Sequence, residues 1–554
     1  MSTPNVKNQK EKLRHLVSRT KIRTAFIAFM LLIEVAAIIT IIILSQVYNV
    51  TWVAVIYWVA EVISIIVAIR VINSHMDPAY KITWLAFMVI NSIMGAAFYL
   101  LFANKKFSKR EKNFNAPILA ALNNAMNSSE ANGLAPKSHT NKEGKVSRND
   151  NDKEARKRLA NLDPDLVNFI MYIRKYSFTD TYKNTRTTYY PWGENAFPVM
   201  LEKLKQAKHY IFMEYFIIDP GKFWDSILEV LLEKAKQGLD VRVMYDDLGC
   251  LSTLPAGYDQ FLRDNGIKCY RYAPIKPFVD IRMNNRDHRK IMVIDGHTGF
   301  TGGINIADEY INEIVRFGKW KDNAIMLEGD GVFGLTNLFL SVWARVANDT
   351  STIDFKQYLP ARYASEVPYK EGSGYVSVYG SIPYTYETVG LNIYTMLCYK
   401  ATKTLDICTP YLILNKEMEN AIMQAAKNGV RVRLLTPRIP DKKMVFEITR
   451  SYYDRLLKCG VEIYEYVPGF VHAKMFLVDG KMATVGTINL DYRSLFLHSE
   501  NGCFLYEADC IKDIQDDFDK TFEVSEKIDY EQYKKTSRKV RILRGILRVF
   551  APLM

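Results

Sequence analysis

An α/β body built from two copies of one strand–helix unit, behind an N-terminal transmembrane helical segment, is the architecture that the sequence predicts. Three observations carry it. The first hundred residues hold three apolar stretches, at about 24–46, 52–72 and 82–103. From about Asn161 onward, strand-like and helix-like runs alternate, and they do so twice in the same order. Inside that alternation the helical runs stop at Gly238, Gly266, Gly429 and Gly460, directly before strand-like runs, which is how a glycine ends a helix.

Composition bounds the rest. The 554 residues exceed one ordinary domain, and 49% hydrophobic against 24% charged residues suffices for substantial cores. A wholly disordered, fibrous or small disulfide-stapled chain is excluded. The seven cysteines (Cys250, Cys269, Cys398, Cys408, Cys459, Cys503, Cys510) are odd in number, scattered and free of any C-x-x-C spacing. They suggest neither a disulfide framework nor a zinc site, and fit a reducing, cytosol-facing body.

In chain order, residues 1–23 are a basic leader with seven lysines and arginines. Residues 24–103 are the transmembrane segment, since each of its three stretches has the roughly 20 residues needed to cross a bilayer. A cleaved signal peptide fits poorly, because the first stretch is too long and two more follow. Trp52, Trp58, Tyr80, Trp84 and Tyr99 lie near segment ends, where interfacial aromatics belong. Basic clusters before the first stretch and after the third (Lys105, Lys106, Lys109, Arg110, Lys112) both claim the cytoplasmic side, which three full crossings cannot satisfy. Either one stretch is re-entrant or interfacial, or one cluster loses. Glu34 and Glu61 lie inside apolar stretches and are expected to face other helices or be protonated.

Residues 104–157 read as a basic and disordered linker, polar and poor in aromatics. The first half of the body, 158–360, runs YIFMEYFII, FWDSILEVLLEKAKQG, DVRVMYDD, YDQFLRDNG, IKCYRYAP, HRKIMVIDG and TGFTGGINI. The second half, 361–530, answers with TLDICTPYL, EMENAIMQAAKNG, VRVRLLTP, YYDRLLKCG, VEIYEYVP, HAKMFLVDG and ATVGTINL. Mostly parallel central strands are expected from this alternation. Residues 531–554 end in a basic amphipathic helix, with Val540, Leu543, Leu547 and Phe550 on one face and Arg541, Arg544 and Arg548 on the other. Such a helix suits an anionic lipid surface or a dock on its own protein.

Each half carries the same polar set after its last matched strand: His288, Lys290 and Asp295 with Gly302, Gly303 and Asn305, then His472, Lys474 and Asp479 with Gly486, Thr487 and Asn489. Period-two alternation points His288 with Lys290, and His472 with Lys474, to one side of their strands. A pseudo-twofold would face two histidines, two lysines and two asparagines across one cleft. That cleft suits a phosphodiester: lysines and asparagines hold the non-bridging oxygens, backbone amides approach at the glycines, one imidazole attacks phosphorus and the other protonates the departing alkoxide. No metal or cofactor is required, because the lysines supply the positive charge. A lone histidine is as often structural, but two at equivalent points of a repeat are not coincidental. The other six histidines, His15, His75, His139, His209, His297 and His498, read as surface or packing residues.

These two H-x-K-x4-D motifs resemble those of the phospholipase D superfamily, and within it the chain is most similar to bacterial cardiolipin synthases. The resemblance covers NNRDHRKIMVIDGHTGFTGGINIADEY, Trp320 to Asp322, VHAKMFLVDGKMATVGTINLDYRSLFLHSENG and the closing VFAPLM. It implies duplicated phospholipase D-like α/β/α domains, with His288 as the nucleophile forming a phosphohistidine and His472 as general acid and then base. It further implies that Asp295 and Asp479 orient imidazoles or pair with neighbours, and that Asp322 and Glu500 buttress the histidines, although structural ion pairs explain these four nearly as well. The implied reaction converts two phosphatidylglycerols to cardiolipin and glycerol in a bacterial cell membrane, with a multi-pass anchor and a cytoplasmic body. A phospholipase D hydrolase or an enzyme exchanging other head groups is the alternative; a superfamily nuclease and a non-enzymatic membrane scaffold are more distant. The family commonly has two apolar N-terminal segments, so the first stretch here is an addition, and Ser92 stands where a proline is frequent. Oligomeric state is not legible.

The net charge of +13 divides unevenly: residues 1–23 contribute +6, 105–112 contribute +4 and 534–548 contribute +7, leaving −4 for everything else. Basicity gathered at membrane-flanking segments addresses anionic lipid rather than nucleic acid.

Overall fold

The computed structural model describes residue 40 and residues 51–102, 109–128, 138–140, 146–148, 161–275, 285–348, 354–360, 372–383 and 387–553. The basic leader, the first apolar stretch apart from residue 40, and Glu34 lie outside the described residues. The chain divides into two units, residues 1–104 and 105–554.

In the first unit, α1 (Thr51–Ile72) is a 22-residue apolar helix. Its Val55–Ile72 portion is, among the described residues, the one helix long and apolar enough to cross a membrane. The third apolar stretch is not a single helix. It breaks into α2 (Pro78–Ile90) and α3 (Ser92–Phe102) at Asn91, whose N–H caps the end of α2 at Phe87 O and whose Oδ1 accepts the Met94 N–H at the start of α3. A straight helix would hold Trp84 and Tyr99 about 22 Å apart. Their ring centroids are 5.6 Å apart, so the chain folds back on itself. Gly95 permits this, because a Cβ there would lie 2.6 Å from the Met88 backbone. Trp84 is thus buried inside the hairpin rather than set at its edge. Glu61 faces a neighbouring helix, as its cost in lipid demands, and accepts the Ser92 hydroxyl at 2.6 Å.

The second unit begins inside the expected linker. Helix α4 (Lys109–Met126) buries Ile118, Leu122 and Ala125 in the core of the body, and β1 (Ser138–Thr140) pairs with β2 (Val146–Arg148). Composition missed α4 because its few apolar residues fall at helical spacing within a polar run. Next come α5 (Pro164–Ser177), β3 (Thr181–Tyr182), β4 (Thr185–Tyr190), α6 (Gly193–Lys205), β5 (Tyr210–Tyr215), α7 (Lys222–Lys236), β6 (Asp240–Asp246), α8 (Tyr258–Asp264) and β7 (Lys268–Tyr272). The half closes with β8 (Lys290–Ile294), β9 (Thr298–Gly302), β10 (Ala324–Gly329) and α9 (Val332–Val346).

The second half repeats the plan: β11 (Tyr375–Ser381), α10 (Val389–Lys400), β12 (Thr404–Cys408), α11 (Lys416–Lys427), β13 (Arg431–Pro437), α12 (Lys443–Ser451), α13 (Tyr453–Lys458) and β14 (Glu462–Tyr466). After β15 (Met475–Val478), β16 (Met482–Gly486), α14 (Tyr492–Phe496), β17 (Glu500–Tyr506) and α15 (Ile511–Glu523) follow β18 (Ser525–Lys527), α16 (Tyr530–Lys534) and α17 (Arg538–Phe550). Gly238, Gly266, Gly429 and Gly460 all take positive φ at the helix ends, as their positions predict.

The sheets run β4-β10-β9-β8-β5-β6-β7 and β3-β11-β17-β16-β15-β12-β13-β14-β18. Seven strands correspond one to one, and β3 and β18 extend the second sheet at its edges. Only β5-β6-β7 and β12-β13-β14 pair in parallel; the remaining pairings are antiparallel, against the mostly parallel expectation. Parallel pairing follows the helical crossovers, whereas β8–β9 and β15–β16 are tight hairpins that can pair only antiparallel.

The division at residue 360 is not a division of structure. Strand β3 pairs with β11 of the second half before the chain crosses into the first sheet at β4. One apolar core joins Phe212, Ile291 and Leu327 of the first sheet to Val378, Leu477 and Leu505 of the second, with α9 buried along almost its whole length. The halves are therefore one body. Short parallel bridges, Asp287 with Ser499 and Lys321 with Val471, stitch them together immediately before His288 and His472.

Candidate active site

The two stitches bring the two motifs together. His288 donates its backbone N–H to Ser499 O at 2.9 Å, and His472 donates to Lys321 O at 2.7 Å, so each histidine is held by backbone of the opposite half. The side chains repeat the exchange. His288 Nδ1 lies 3.0 Å from Glu500 Oε2, and His472 Nδ1 lies 2.6 Å from Asp322 Oδ2. Each imidazole thus takes its carboxylate from the other copy of the repeat.

Burial sets the protonation states. It pushes the His288 imidazole down to about 3 and the His472 imidazole down to about 4, in each case with a neighbouring lysine charge adding to the effect and the carboxylate partly opposing it. Burial alone would raise the two carboxyls, yet the adjacent histidines hold both Glu500 and Asp322 below the ordinary carboxylate range. Ionised carboxylate beside neutral imidazole is the consistent assignment, with the ring proton on Nδ1 and the Nε2 lone pair presented away from the buttress.

Lys290 and Lys474 are almost wholly buried, and burial lowers their ammonium groups to about 7 and about 8. Each donates to the carbonyl of the histidine two residues earlier, at 2.7 Å for Lys290 on His288 O. A buried amine poised near neutrality gains its proton when an anion enters, so the pair suits an arriving phosphate.

The glycines act differently from expectation. Gly303 N–H is consumed by Asn323 O, and Thr487 N–H by Asn501 O, so neither amide is offered to a ligand. A Cβ on Gly303 would stand 1.9 Å from Asp322 Oδ1, so the missing side chain makes room for the buttress of His472. At the equivalent point of the second half Thr487 donates its hydroxyl to Glu500. Asn305 is engaged too: its Oδ1 accepts the Ile217 N–H at 3.1 Å and its amide donates to Tyr310 OH at 2.7 Å. Asn489 keeps an Oδ1 without a protein donor.

Asp295 and Asp479 are not brought to the histidines. They sit at the far end of β8 and β15, about 20 Å along the chain by the strand rise. Asp295 accepts the backbone N–H groups of Lys208, His209 and Tyr210 at 2.8 to 2.9 Å. Asp479 accepts those of Thr402, Lys403 and Thr404 at 2.7 to 2.9 Å, and the Thr402 hydroxyl. Both tie the hairpin turn to the start of the strand that pairs with their own, β5 beside β8 and β12 beside β15.

Three kinds of neighbour were not legible. His498, read from sequence as a surface or packing residue, has its ring centroid 5.7 Å from that of His288 and its Nδ1 3.6 Å from Glu500 Oε1. Period-two spacing from Glu500 was the available signal. Donor atoms of His288, His498 and Glu500 lie within 4.8 Å of one another and could hold a cation, although His288 and Thr487 already occupy Glu500. Phe216 lies 5.0 Å from the His288 ring, and Tyr310, Trp320 and Phe470 surround His472 at 5.6 to 5.9 Å. Arg289, fully buried, pairs with Glu214 and Asp287 beneath the His288 strand.

Comparison with known proteins gives this fold a wider setting. A family model described as cardiolipin synthase, PLD-like domain, matches residues 200–315 and again 396–522, and one described as phospholipase D-nuclease N-terminal matches 62–104. The chain is 39% identical to an uncharacterized protein of Streptococcus mutans over 87% of this chain and 98% of that one. It is 32% identical to a cardiolipin synthase of Geobacillus kaustophilus over 88% and 92%. Among solved structures, a phosphatidylserine synthase of Haemophilus influenzae superposes with a TM-score of 0.50 at 16% identity, over 66% of this chain and 93% of that one.

Proposed function

The chain belongs to the family of phospholipase D-type cardiolipin synthases, and from that premise we propose that it is a membrane phosphatidyltransferase joining two phosphatidylglycerols into cardiolipin with release of glycerol. The observation that carries the chemistry is the reciprocal buttressing, Glu500 on His288 and Asp322 on His472. His288 Nε2 attacks the phosphorus of one phosphatidylglycerol, and the bond to the head-group oxygen breaks. The charge of the bound phosphate, with Asp322 behind the ring, draws a proton onto the resting neutral His472 as the lipid enters, and the resulting imidazolium gives that proton to the head-group oxygen as glycerol leaves. The now neutral His472 takes the proton from a hydroxyl of a second phosphatidylglycerol, whose oxygen displaces His288 from phosphorus. Cardiolipin departs and both rings return to their starting states. Lys290 and Lys474 neutralise the non-bridging oxygens throughout. Asn489, whose Oδ1 has no protein donor, is the asparagine better placed to orient a lipid hydroxyl.

Transfer rather than hydrolysis is favoured by an aromatic surround at His472, which limits water where the second alcohol must stand. For membrane topology, the folded-back α2–α3 hairpin supports a re-entrant third stretch. Two crossings followed by a re-entrant loop put the basic clusters at 1–23 and 105–112 on one cytoplasmic side, with the body after them. Vesicles of phosphatidylglycerol alone test the reaction: the reading expects cardiolipin and glycerol in equal amounts, and phosphatidic acid as the main product would make the protein a hydrolase.

A further inference from the structure

Helix α17 docks with the wrong side outward for a helix that meets water. Arg544 is buried, with Nε 2.8 Å from Glu447 Oε2 on α12. Arg548 stacks over Tyr452 at 4.0 Å and reaches Glu419 Oε1 at 3.3 Å. Two arginines of the basic face are therefore the clasp. At 100° per residue, Ile542 and Ile546 lie opposite these arginines. They are 55% exposed each, and Leu543 beside them is 48% exposed. On α12, Met444 is 54% exposed one turn from Glu447. Exposed Lys539 continues the line of the ridge toward the start of the helix, exposed Arg538 stands to one side of it, and Lys535 and Arg541 are exposed nearby.

We infer that α17 is a second membrane-contacting element, separate from the N-terminal segment: its Ile542–Leu543–Ile546 ridge enters the headgroup layer of an anionic bilayer while its arginine side grips the catalytic body. The inference rests on the reading that the substrates are bilayer lipids. Charge selects the occupant. Residues 534–548 hold seven lysines and arginines and no acidic residue, so two copies of this rim would repel each other, whereas anionic headgroups complement it. The position serves the reaction. Ala551 and Pro552 are buried after the helix, and Leu553 O accepts from Arg493 at 3.2 Å. Arg493 lies on α14, four residues after Asn489, so the ridge is mechanically tied to the motif that must receive the second lipid.

The test uses full-length protein carrying Ile546→Trp in phosphatidylglycerol vesicles containing acyl-brominated lipid. The introduced tryptophan, read as the difference from the seven native ones, is expected to emit to the blue and lose more than half its intensity to bromine. In parallel, Ile542→Asp with Ile546→Asp is expected to lower cardiolipin formation from bilayers at least fivefold at unchanged thermal unfolding temperature. An unquenched, red-emitting tryptophan together with an undiminished rate overturns the inference, as does concentration-dependent cross-linking through position 546, which would make the ridge a contact between copies. Quenching in a protein that makes no cardiolipin would support the membrane face while removing the proposed reaction, so the two failures are distinguishable.

Discussion

At the scale of residues, each histidine proposed to be catalytic depends on a carboxylate that its own half does not supply. Asp322→Asn keeps the size of the side chain but removes the ionised acceptor for His472 Nδ1–H, and Glu500→Gln does the same for His288. Each is expected to lower kcat by roughly 10²–10⁴-fold, the scale set by losing the orienting acid of a triad, with folding retained. Steady-state rates and circular dichroism of the variants check this. The lysines make a pH prediction. Burial lowers Lys290 to about 7 and Lys474 to about 8, so their ammonium charge is lost as the pH rises through those values. The kcat/KM for phosphatidylglycerol should fall on the alkaline side and recover on acidification, and a profile flat from pH 7 to 10 would remove the lysines from phosphate binding. The histidines and lysines were legible because a repeat doubles a weak motif. Spacing says nothing of distance, however, so Asp295 and Asp479, conspicuous in the motif, turned out to serve turns. His498 was passed over because its approach to the His288 ring, from the other half of the body, is one that only folding makes.

At the scale of elements, those two aspartates are stability residues. Partial burial alone would raise the Asp479 carboxyl, but the N–H groups of Thr402, Lys403 and Thr404 outweigh it and hold it below the usual carboxylate range. A carboxylate depressed by folding stabilises the fold above its unfolded pKa and ceases to do so as the pH falls through the folded value. Asp479→Ala should therefore lower the unfolding temperature at pH 7, with a deficit that shrinks toward pH 3, while the folded variant keeps most of its turnover. Asp295→Ala, which orphans three backbone donors, should cost about 2–4 kcal/mol, measured by denaturant titration. The same scale explains what the third apolar stretch concealed. Hydropathy averages over a window, whereas the break is made by one residue, Asn91, that caps two helices at once. Likewise α4 hid in a polar run, because a few buried residues at helical spacing, Ile118, Leu122, Ala125 and Met126, barely change its composition.

At the scale of the whole molecule, the duplicated plan was legible in the order of runs, but the joining of the copies was not. Strand β3 lies in the second sheet although it precedes the first in sequence, and one core spans both sheets. Sequence order cannot report such an exchange. It has an energetic signature: Asp322 and His472 act as one unit across the halves, as do Glu500 and His288. The double variant Asp322→Asn/His472→Asn is expected to be no slower than His472→Asn alone, whereas Asp322→Asn/Glu500→Gln, which touches both units, should be slower than either single variant. Additive losses in the first pair would contradict the cross-half assignment. The most direct test of the central claim is mass spectrometry of protein quenched during turnover on phosphatidylglycerol at alkaline pH, where phosphohistidine survives. The account predicts a phosphatidyl adduct on the peptide containing His288, absent in His288→Asn and still formed in Asp479→Ala. An adduct on His472 would reverse the two roles, and cardiolipin production by His288→Asn at the unsubstituted rate would contradict the mechanism outright.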